Sequence, residues 1–479
     1  MKTKNLPIIL PLTLALPFAG LSAQPNPAPL VVHEWGTFTS LQNEEGHAIG
    51  GINTDDEPAP EFVHRFADYL LLSPTEVPAV FFKGAPSCHP DVTMRLETPV
   101  LYFHRPPGGA AFQKVNVSAT FRGGWLCEFY PNAAVNAPGL ESNAISFGPL
   151  RSGTVSTLAW NNLEVGCDWS GPATTEHVWT SPRAVRADAV RTSAGESERF
   201  LFYRGVAHID APISVVQDPA REELLLHSQW AAGIAAREPL TIKSLWLVDI
   251  DAGGKVAFRV PPPLALTGPE RMPAAVSSHF GADDYSEANR AKLEGSLRKV
   301  LVAAGLFDDE ARALLNTWEL SYFKSPGLRV FFMVPRAWTD FYLPLEVSPP
   351  AEITRVMVGR IELVTPAQRS LLRQIALVTT NEILSEATDL STNLVNHIVS
   401  NAELWREVAA GRQPLSANGV TIPRSYQSYL ALGRFRNALI LEEAGERPTP
   451  SLDRFITTYR LEGYKPVETS MAYPARIPE

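Results

Sequence analysis

Several of the strongest functional motifs are missing from this chain of 479 residues. It has no GxSxG nucleophile elbow, no phosphate-binding P-loop and no GxGxxG dinucleotide motif. These absences disfavour the common hydrolases, nucleotide enzymes and dinucleotide oxidoreductases. The chain also has no Lys- and Arg-rich run, and its formal net charge is −9. Because nucleic-acid binding depends on clustered positive charge, we expect no nucleic-acid partner.

Cysteine is scarce, with only Cys88, Cys127 and Cys167 in the chain. None of them belongs to a CxxC pair, a Cys/His zinc pattern or a CxxCH haem motif. Three cysteines allow at most one internal bridge. We predict Cys127 with Cys167, since both lie in a strand-rich region; the alternative is that all three are buried or free thiols.

Beyond the first residues, the chain has no uninterrupted apolar run of the roughly 18 residues that a membrane span needs. The first 23 residues predict a secretory signal instead. Lys2 and Lys4 precede the apolar segment Leu6–Leu21, and Leu21-Ser22-Ala23 offers a small-residue cleavage site. We therefore predict cleavage near Ala23, a periplasmic or extracellular location, and a mature chain without a transmembrane segment.

The middle of the chain, from about 92 to 260, predicts short strands. Lys114–Phe121 alternates most clearly, with Val115 and Val117 among its apolar positions and polar residues between them. The 41 prolines, about twice the average usage, also favour short strands and ordered loops. This pattern is typical of an antiparallel sandwich or barrel.

Helical patterns follow in two places. Apolar spacing over 284–320 predicts a helical hairpin, after which strands return. The capping box Thr365-Pro366-Ala367-Gln368 opens a final helical section. The helices predicted in this section cover 366–387, 391–410, 424–444 and 451–460. One further short helix is predicted nearer the N-terminus, at 61–72.

We therefore predict an α+β fold. An antiparallel, β-sandwich-like region occupies 24–270. A helical insertion and the returning strands, over 271–365, pack on it. The C-terminal helical section is 366–479.

The segment Val31–Ser40 mixes strand-forming residues with an imidazole and a carboxylate. Alternate side chains of a strand point to opposite faces, so His33 and Trp35 share one face and Glu34 lies on the other. Adjacent residues on opposite faces do not normally bind one ion. The structural alternative is that His33 packs beside Trp35 while Glu34 pairs with an arginine.

Further polar groups of the strand-rich region complete a set of candidate catalytic residues. If several of them converge, a divalent metal with a bound water becomes plausible. Glu97, beside His104, is either a buried partner for an arginine or a general acid/base. The candidates are His33, Glu34, Glu97, Glu176, His177, His208 and Asp210.

The rival hypothesis is a binding module. Aromatic side chains stack on sugar rings or on protein partners when they are exposed, although most aromatic residues of a sandwich lie in the core. The candidates are Trp125, Tyr130, Trp169 and Trp179. The ligand would be a small molecule, a glycan or a protein.

The segment Val-His-Glu-Trp-Gly-Thr-Phe-Thr-Ser at 32–40 resembles the N-terminal motif of a family of exported bacterial proteins. Other matching segments are Leu96–Phe103, Phe200–Gly205, Arg355–Arg360 and the pair Thr365-Pro366. The resemblance thus extends over most of the chain. It implies export, and it carries no activity or catalytic residue with it.

Two functional hypotheses remain. The first is a non-catalytic binding or structural protein of the cell envelope or its exterior. The alternative is a hydrolase that uses a His/carboxylate site, with or without a metal, in the β-rich region.

Overall fold

The computed structural model describes residues 29–54, 57–66, 81–82, 84–108, 113–137, 147–229, 240–266, 273–379, 416–417 and 420–466. The predicted signal segment lies outside them. The fold is α+β, as predicted, with strands in the N-terminal part and helices towards the C-terminus. Among the described residues, no helix reaches the length and apolar character that crossing a bilayer requires.

The strands are β1 (Val31–Gln42), β2 (His64–Arg65), β3 (Phe81–Phe82), β4 (Ala85–Pro86), β5 (Met94–His104), β6 (Gln113–Arg122), β7 (Gly124–Tyr130), β8 (Ala134–Asn136), β9 (Val155–Val165), β10 (Val190–Arg191), β11 (Ser197–Glu198), β12 (Leu201–Ala207), β13 (Ile213–Asp218), β14 (Glu223–Ser228), β15 (Leu240–Ile242), β16 (Leu245–Ile250), β17 (Val256–Arg259), β18 (Leu264–Leu266), β19 (Ala274–Ser277), β20 (Gly327–Met333), β21 (Leu345–Ser348), β22 (Glu352–Leu363), β23 (Ser416–Ala417) and β24 (Val420–Thr421). The helices are α1 (His177–Arg183), α2 (Ala288–Ala303), α3 (Asp308–Thr317), α4 (Arg336–Tyr342), α5 (Pro366–Leu377), α6 (Arg424–Ala431), α7 (Arg436–Glu446) and α8 (Pro450–Tyr459).

Two large sheets organise the molecule. The larger has the strand order β17-β16-β20-β22-β1-β5-β12-β7-β2, and the smaller has the order β11-β10-β9-β6-β21. One apolar cluster joins Val32 and Phe38 of β1 to Val117 of β6, so the sheets pack face to face. The opposite face of the larger sheet carries Trp35, which belongs to one apolar cluster with Leu314 of α3.

Strand β1 lies near the centre of the larger sheet. It runs parallel to β22 and antiparallel to β5. The parallel neighbour β22 belongs to the returning strands of 271–365, whereas the described pairings of β1, β5, β12 and β7 within 24–270 are antiparallel, as predicted. The predicted alternation of faces is confirmed, but both faces are buried because a layer of the protein covers each of them.

The C-terminal helices cover another part of the larger sheet, where Leu41 of β1 and Val364 pack among them. Helix α5 begins at the predicted capping box, and the Thr365 side chain accepts a hydrogen bond from the Gln368 N–H. The predicted helix 424–444 is in fact two helices, α6 and α7. The predicted helix 391–410 lies outside the described residues.

Three local predictions are wrong. His64–Arg65, within the predicted helix 61–72, forms a short strand against β7, and 67–72 lies outside the described residues. The predicted strand Phe341–Val347 starts as the end of α4. The predicted disulfide is absent, because Cys88, Cys127 and Cys167 are all buried free thiols. Cys127 lies in the cluster beneath the C-terminal helices, whereas Cys167 follows β9 of the smaller sheet.

Glycine at position 36 allows β1 and β5 to approach closely. A Cβ atom there would lie 2.6 Å from the backbone oxygen of Thr98. We expect Gly36→Ala to lower the free energy of unfolding by about 1–3 kcal/mol, since the strand backbones must move apart. Urea denaturation followed by circular dichroism measures the change.

Gly295 is the control, because a Cβ atom there meets nothing within 4 Å on helix α2. Alanine is a better helix former than glycine, so Gly295→Ala should stabilise the protein by roughly 0.5–1 kcal/mol. A neutral Gly36→Ala variant would contradict the close approach of the two strands.

Candidate metal centre

Three side chains from distant parts of the chain meet against the helix-covered face of the larger sheet. The Nδ1 atom of His33 lies 2.8 Å from Oε2 of Glu310, and Nε2 of His104 lies 2.9 Å from Oε1. One ligand atom from each residue falls within 4.8 Å of the other two. Within the part of the chain that the structure describes, this is the one group of three His, Cys, Asp or Glu side chains spaced to hold a metal ion.

Strand pairing brings the two imidazoles together. His33 of β1 pairs with Tyr102 of β5, and His104 pairs with Val31. The two histidines are therefore diagonal neighbours on one face, and their ring centroids are 5.2 Å apart.

The start of helix α3 supplies the carboxylate. The Phe307 N–H donates a hydrogen bond of 2.7 Å to Oε2 of Glu310, which is the reciprocal half of a capping box. The Glu310 side chain thus turns back towards the helix start, where both histidines lie. Helix capping and metal ligation require the same orientation of this side chain.

The electrostatics keep Glu310 ionised although it is completely buried. Burial raises the pKa of this carboxyl. The hydrogen bonds with His104 and His33, the charge of His33 and the Phe307 N–H together outweigh burial, so the pKa lies below the usual 4.5. The same negative charge, together with burial, raises the pKa of the neighbouring Tyr102. The cluster thus offers the carboxylate of Glu310 and the imidazole rings of His33 and His104 as possible ligands.

This donor set suits a divalent transition metal. Two histidines and one carboxylate hold zinc in some hydrolases and Fe²⁺ in the facial triad of oxygenases. Ligand atoms at about 2 Å from a tetrahedral ion are roughly 3.3 Å apart, so the observed spacing needs only small side-chain rotations. Three protein ligands leave at least one coordination position for water or another ligand.

An open concavity of about 470 Å³ lies beside the cluster. It is lined by Arg186, Phe307, Asp308, Asp309 and Arg312. The Phe307 ring lies 4.6 Å from the His33 ring and 4.8 Å from the His104 ring, measured between centroids. Phe307 is 47% exposed, so one ring borders both the concavity and the two imidazoles.

His33 is the one member of the predicted catalytic set that belongs to this cluster. Glu34 points to the other face of β1, where it accepts hydrogen bonds from Tyr203 and Arg355. This arrangement confirms the predicted ion pair between Glu34 and an arginine. Glu97 is buried and pairs with Arg95.

The remaining candidates lie elsewhere. Glu176 precedes helix α1 without capping it through its side chain. His177 is exposed, and its Nε2 atom contacts the carbonyl oxygen of Asn316, at 2.6 Å, on α3. The Nδ1 atom of His208 lies 2.8 Å from the backbone oxygen of Asp91. Of the seven predicted catalytic residues, only His33 therefore belongs to the candidate metal centre.

The structure also limits the aromatic binding hypothesis. Trp125, Tyr130 and Trp179 are buried in the core, so the expected exposed platform is wrong for these three. Trp169 is 40% exposed, with the guanidinium groups of Arg183 and Arg199 about 5 Å from its ring.

Two residues of the cluster were not in the predicted set. His104 stood beside Glu97 in the sequence argument, but strand register, which sequence alone does not give, connects it to His33. Glu310 resembles an ordinary acidic residue in the first turn of a helix. Its capping position was the available signal, and 277 residues separate it from His33.

No family model and no curated protein sequence matches the chain. Among solved structures, the Fcho1 Mu homology domain from Danio rerio with bound Eps15 peptide is similar over 70% of this chain and 95% of that chain. The identity is 8% and the TM-score is 0.25, and a likeness at that level carries no argument about this chain.

Proposed function

We propose that the chain is an exported protein that binds one divalent transition metal ion through His33, His104 and Glu310. The convergence of these three side chains, with their ligand atoms within 4.8 Å of one another, is the observation that carries the proposal. Export is supported by the signal-like first 23 residues and by the resemblance of the segment 32–40 to exported bacterial proteins.

The burial of the cluster favours tight metal binding. His33 and Glu310 are almost fully buried, and the His104 side chain is 15% exposed. The ligands come from β1, β5 and α3, so the folded protein sets their spacing before an ion arrives. Preformed ligands lower the cost of ordering the site.

A metal-dependent hydrolase is the second candidate. The observation that favours it is the concavity on the far side of Phe307, next to a centre with only three protein ligands. Catalytic zinc sites have this ligand number, and the ion lowers the pKa of a bound water. Binding of the metal is the property that both candidates share, and it is tested first.

The experiment expresses the full chain in a bacterium and purifies it from the exported fraction. Its intact mass should correspond to a chain that starts at Gln24. After chelator treatment, zinc loading and desalting, elemental analysis should give about one ion per chain. His104→Ala should lose the ion, because two protein ligands hold zinc poorly.

His208→Ala is the matched control, since it removes an exposed imidazole that bonds to the Asp91 backbone. It should keep the full zinc content, and circular dichroism should show both variants folded. Equal zinc in the two variants, or none in the unaltered protein, would overturn the proposed centre.

A further inference from the structure

Phe307 separates the candidate metal centre from the concavity. Its ring lies against both imidazoles and forms part of the concavity lining. Its backbone N–H is fixed by Glu310, whereas its side chain is half exposed. The start of α3 is thus fixed through its backbone, whereas the ring is partly exposed where it borders the concavity.

The charges around the concavity favour an anion. Arg298 donates two hydrogen bonds, of 2.7 and 2.6 Å, to Asp308, and Arg312 lies 3.3 Å from the same carboxylate. Asp309 accepts from the backbone and side chain of Arg186. The lining itself is balanced, with Arg186 and Arg312 against Asp308 and Asp309. Arg298, which lies outside the lining, adds one positive charge next to Asp308.

Two of these arginines have room for a ligand. The Arg186 side chain is 91% exposed and that of Arg312 is 56% exposed, and both line the concavity. A divalent ion bound by two neutral imidazoles and one carboxylate adds a further net positive charge beneath Phe307. Guanidinium groups and metal ions both bind carboxylate and phosphate oxygens well.

We propose that the concavity admits a small oxyanion, a carboxylate or phosphate group, which Arg186 and Arg312 bind. This proposal rests on the proposed metal site. The oxyanion becomes an external ligand of the metal when the Phe307 ring turns aside. Recognition and coordination then act on one group: the arginines hold one edge of the anion, and the metal takes an oxygen from the other.

The test uses protein loaded with Co²⁺, whose visible spectrum reports ligands bound to the ion. Inorganic phosphate and acetate are titrated in separate experiments, and at least one should change the spectrum saturably. Arg312→Gln and Arg186→Gln should each lower the affinity for that anion about tenfold, since each removes a charged hydrogen-bond donor. Their affinity for Co²⁺ should stay unchanged.

Arg454→Gln is the control, because it removes the same charged group from an exposed position on α8 outside the concavity. It should bind the anion as the unaltered protein does. Phe307→Ala should speed the spectral change in stopped-flow mixing, because the ring no longer blocks the approach.

The outcomes separate the two proposals. If Co²⁺ binds and neither anion changes the spectrum, or if Arg312→Gln and Arg454→Gln behave alike, the oxyanion site is wrong and the metal centre stands. If Co²⁺ itself fails to bind, both proposals are wrong. A response to phosphate alone or acetate alone identifies which group the site accepts.

Discussion

Replacing Glu34 with glutamine is expected to lower the free energy of unfolding by about 3–5 kcal/mol. The carboxylate is buried, and it accepts hydrogen bonds from the Tyr203 hydroxyl and from Nε of Arg355. Glutamine has nearly the same shape but no charge. The variant therefore leaves the buried Arg355 guanidinium without its main counter-charge.

The ionisation of the partners shows how strongly this carboxylate acts. Burial lowers the pKa of Arg355, yet the charge and hydrogen bond of Glu34, together with Tyr203 and Asp340, outweigh burial and raise it. The pKa of Tyr203 is raised well above its usual value, by burial and then by the charge of Glu34. Glu34 and Arg355 also face each other in the parallel pairing of β1 with β22, so the ion pair directly links these two strands.

Urea denaturation followed by tryptophan fluorescence measures the loss. Asp340→Asn is the control, because Asp340 is the second and more exposed partner of Arg355. Its loss should cost less than about 1 kcal/mol, as for surface pairs. The double variant Glu34→Leu with Arg355→Met should recover much of the stability, since it removes both charges and leaves no unpaired buried charge. Equal losses for Glu34→Gln and Asp340→Asn would contradict this account.

The opening strand shows how far local pattern extends. Period-two spacing correctly separated His33 and Trp35 from Glu34. It did not reveal that both faces are covered, because alternation of polar and apolar residues reports facing and not the number of layers. Nor did it reveal β22 as the parallel neighbour, more than 300 residues away, because parallel pairing leaves no turn in the sequence.

Signals confined to a few residues were the most dependable. The capping box at Thr365 marks the start of α5 because its hydrogen bonds join residues three positions apart. The segment 61–72 has helical spacing, but its described part contains the strand β2, since pairing with β7 overrides the local preference.

The candidate site depended on distant contacts. His33 attracted attention as an imidazole within a strand, while Glu310 looked like a normal helix-start acid. Only the packing of α3 on the larger sheet joins them. A sequence argument finds such a site when its ligands lie on one element at fixed spacing, and here they come from three elements.

Zinc is expected to stabilise the folded protein by about 4 kcal/mol when its free concentration is a thousand times the dissociation constant. The reason is that β1, β5 and α3 bring His33, His104 and Glu310 together only in the folded state. Binding to the folded form alone shifts the unfolding equilibrium by mass action. Urea denaturation at a series of buffered zinc concentrations measures the gain.

Glu310→Gln and His208→Ala distinguish a metal centre from a purely structural hydrogen-bonded triad. Glutamine preserves the shape at Glu310 but ligates zinc poorly, so the zinc-dependent gain should disappear, whereas His208→Ala should keep it. In a purely structural triad, Glu310→Gln lowers stability and zinc changes nothing in any variant. In a metal centre, the stability of the unaltered protein rises with the logarithm of zinc concentration above the dissociation constant. The dependence of the free energy of unfolding on zinc concentration, rather than the loss of stability caused by the substitution, therefore decides what the three side chains do.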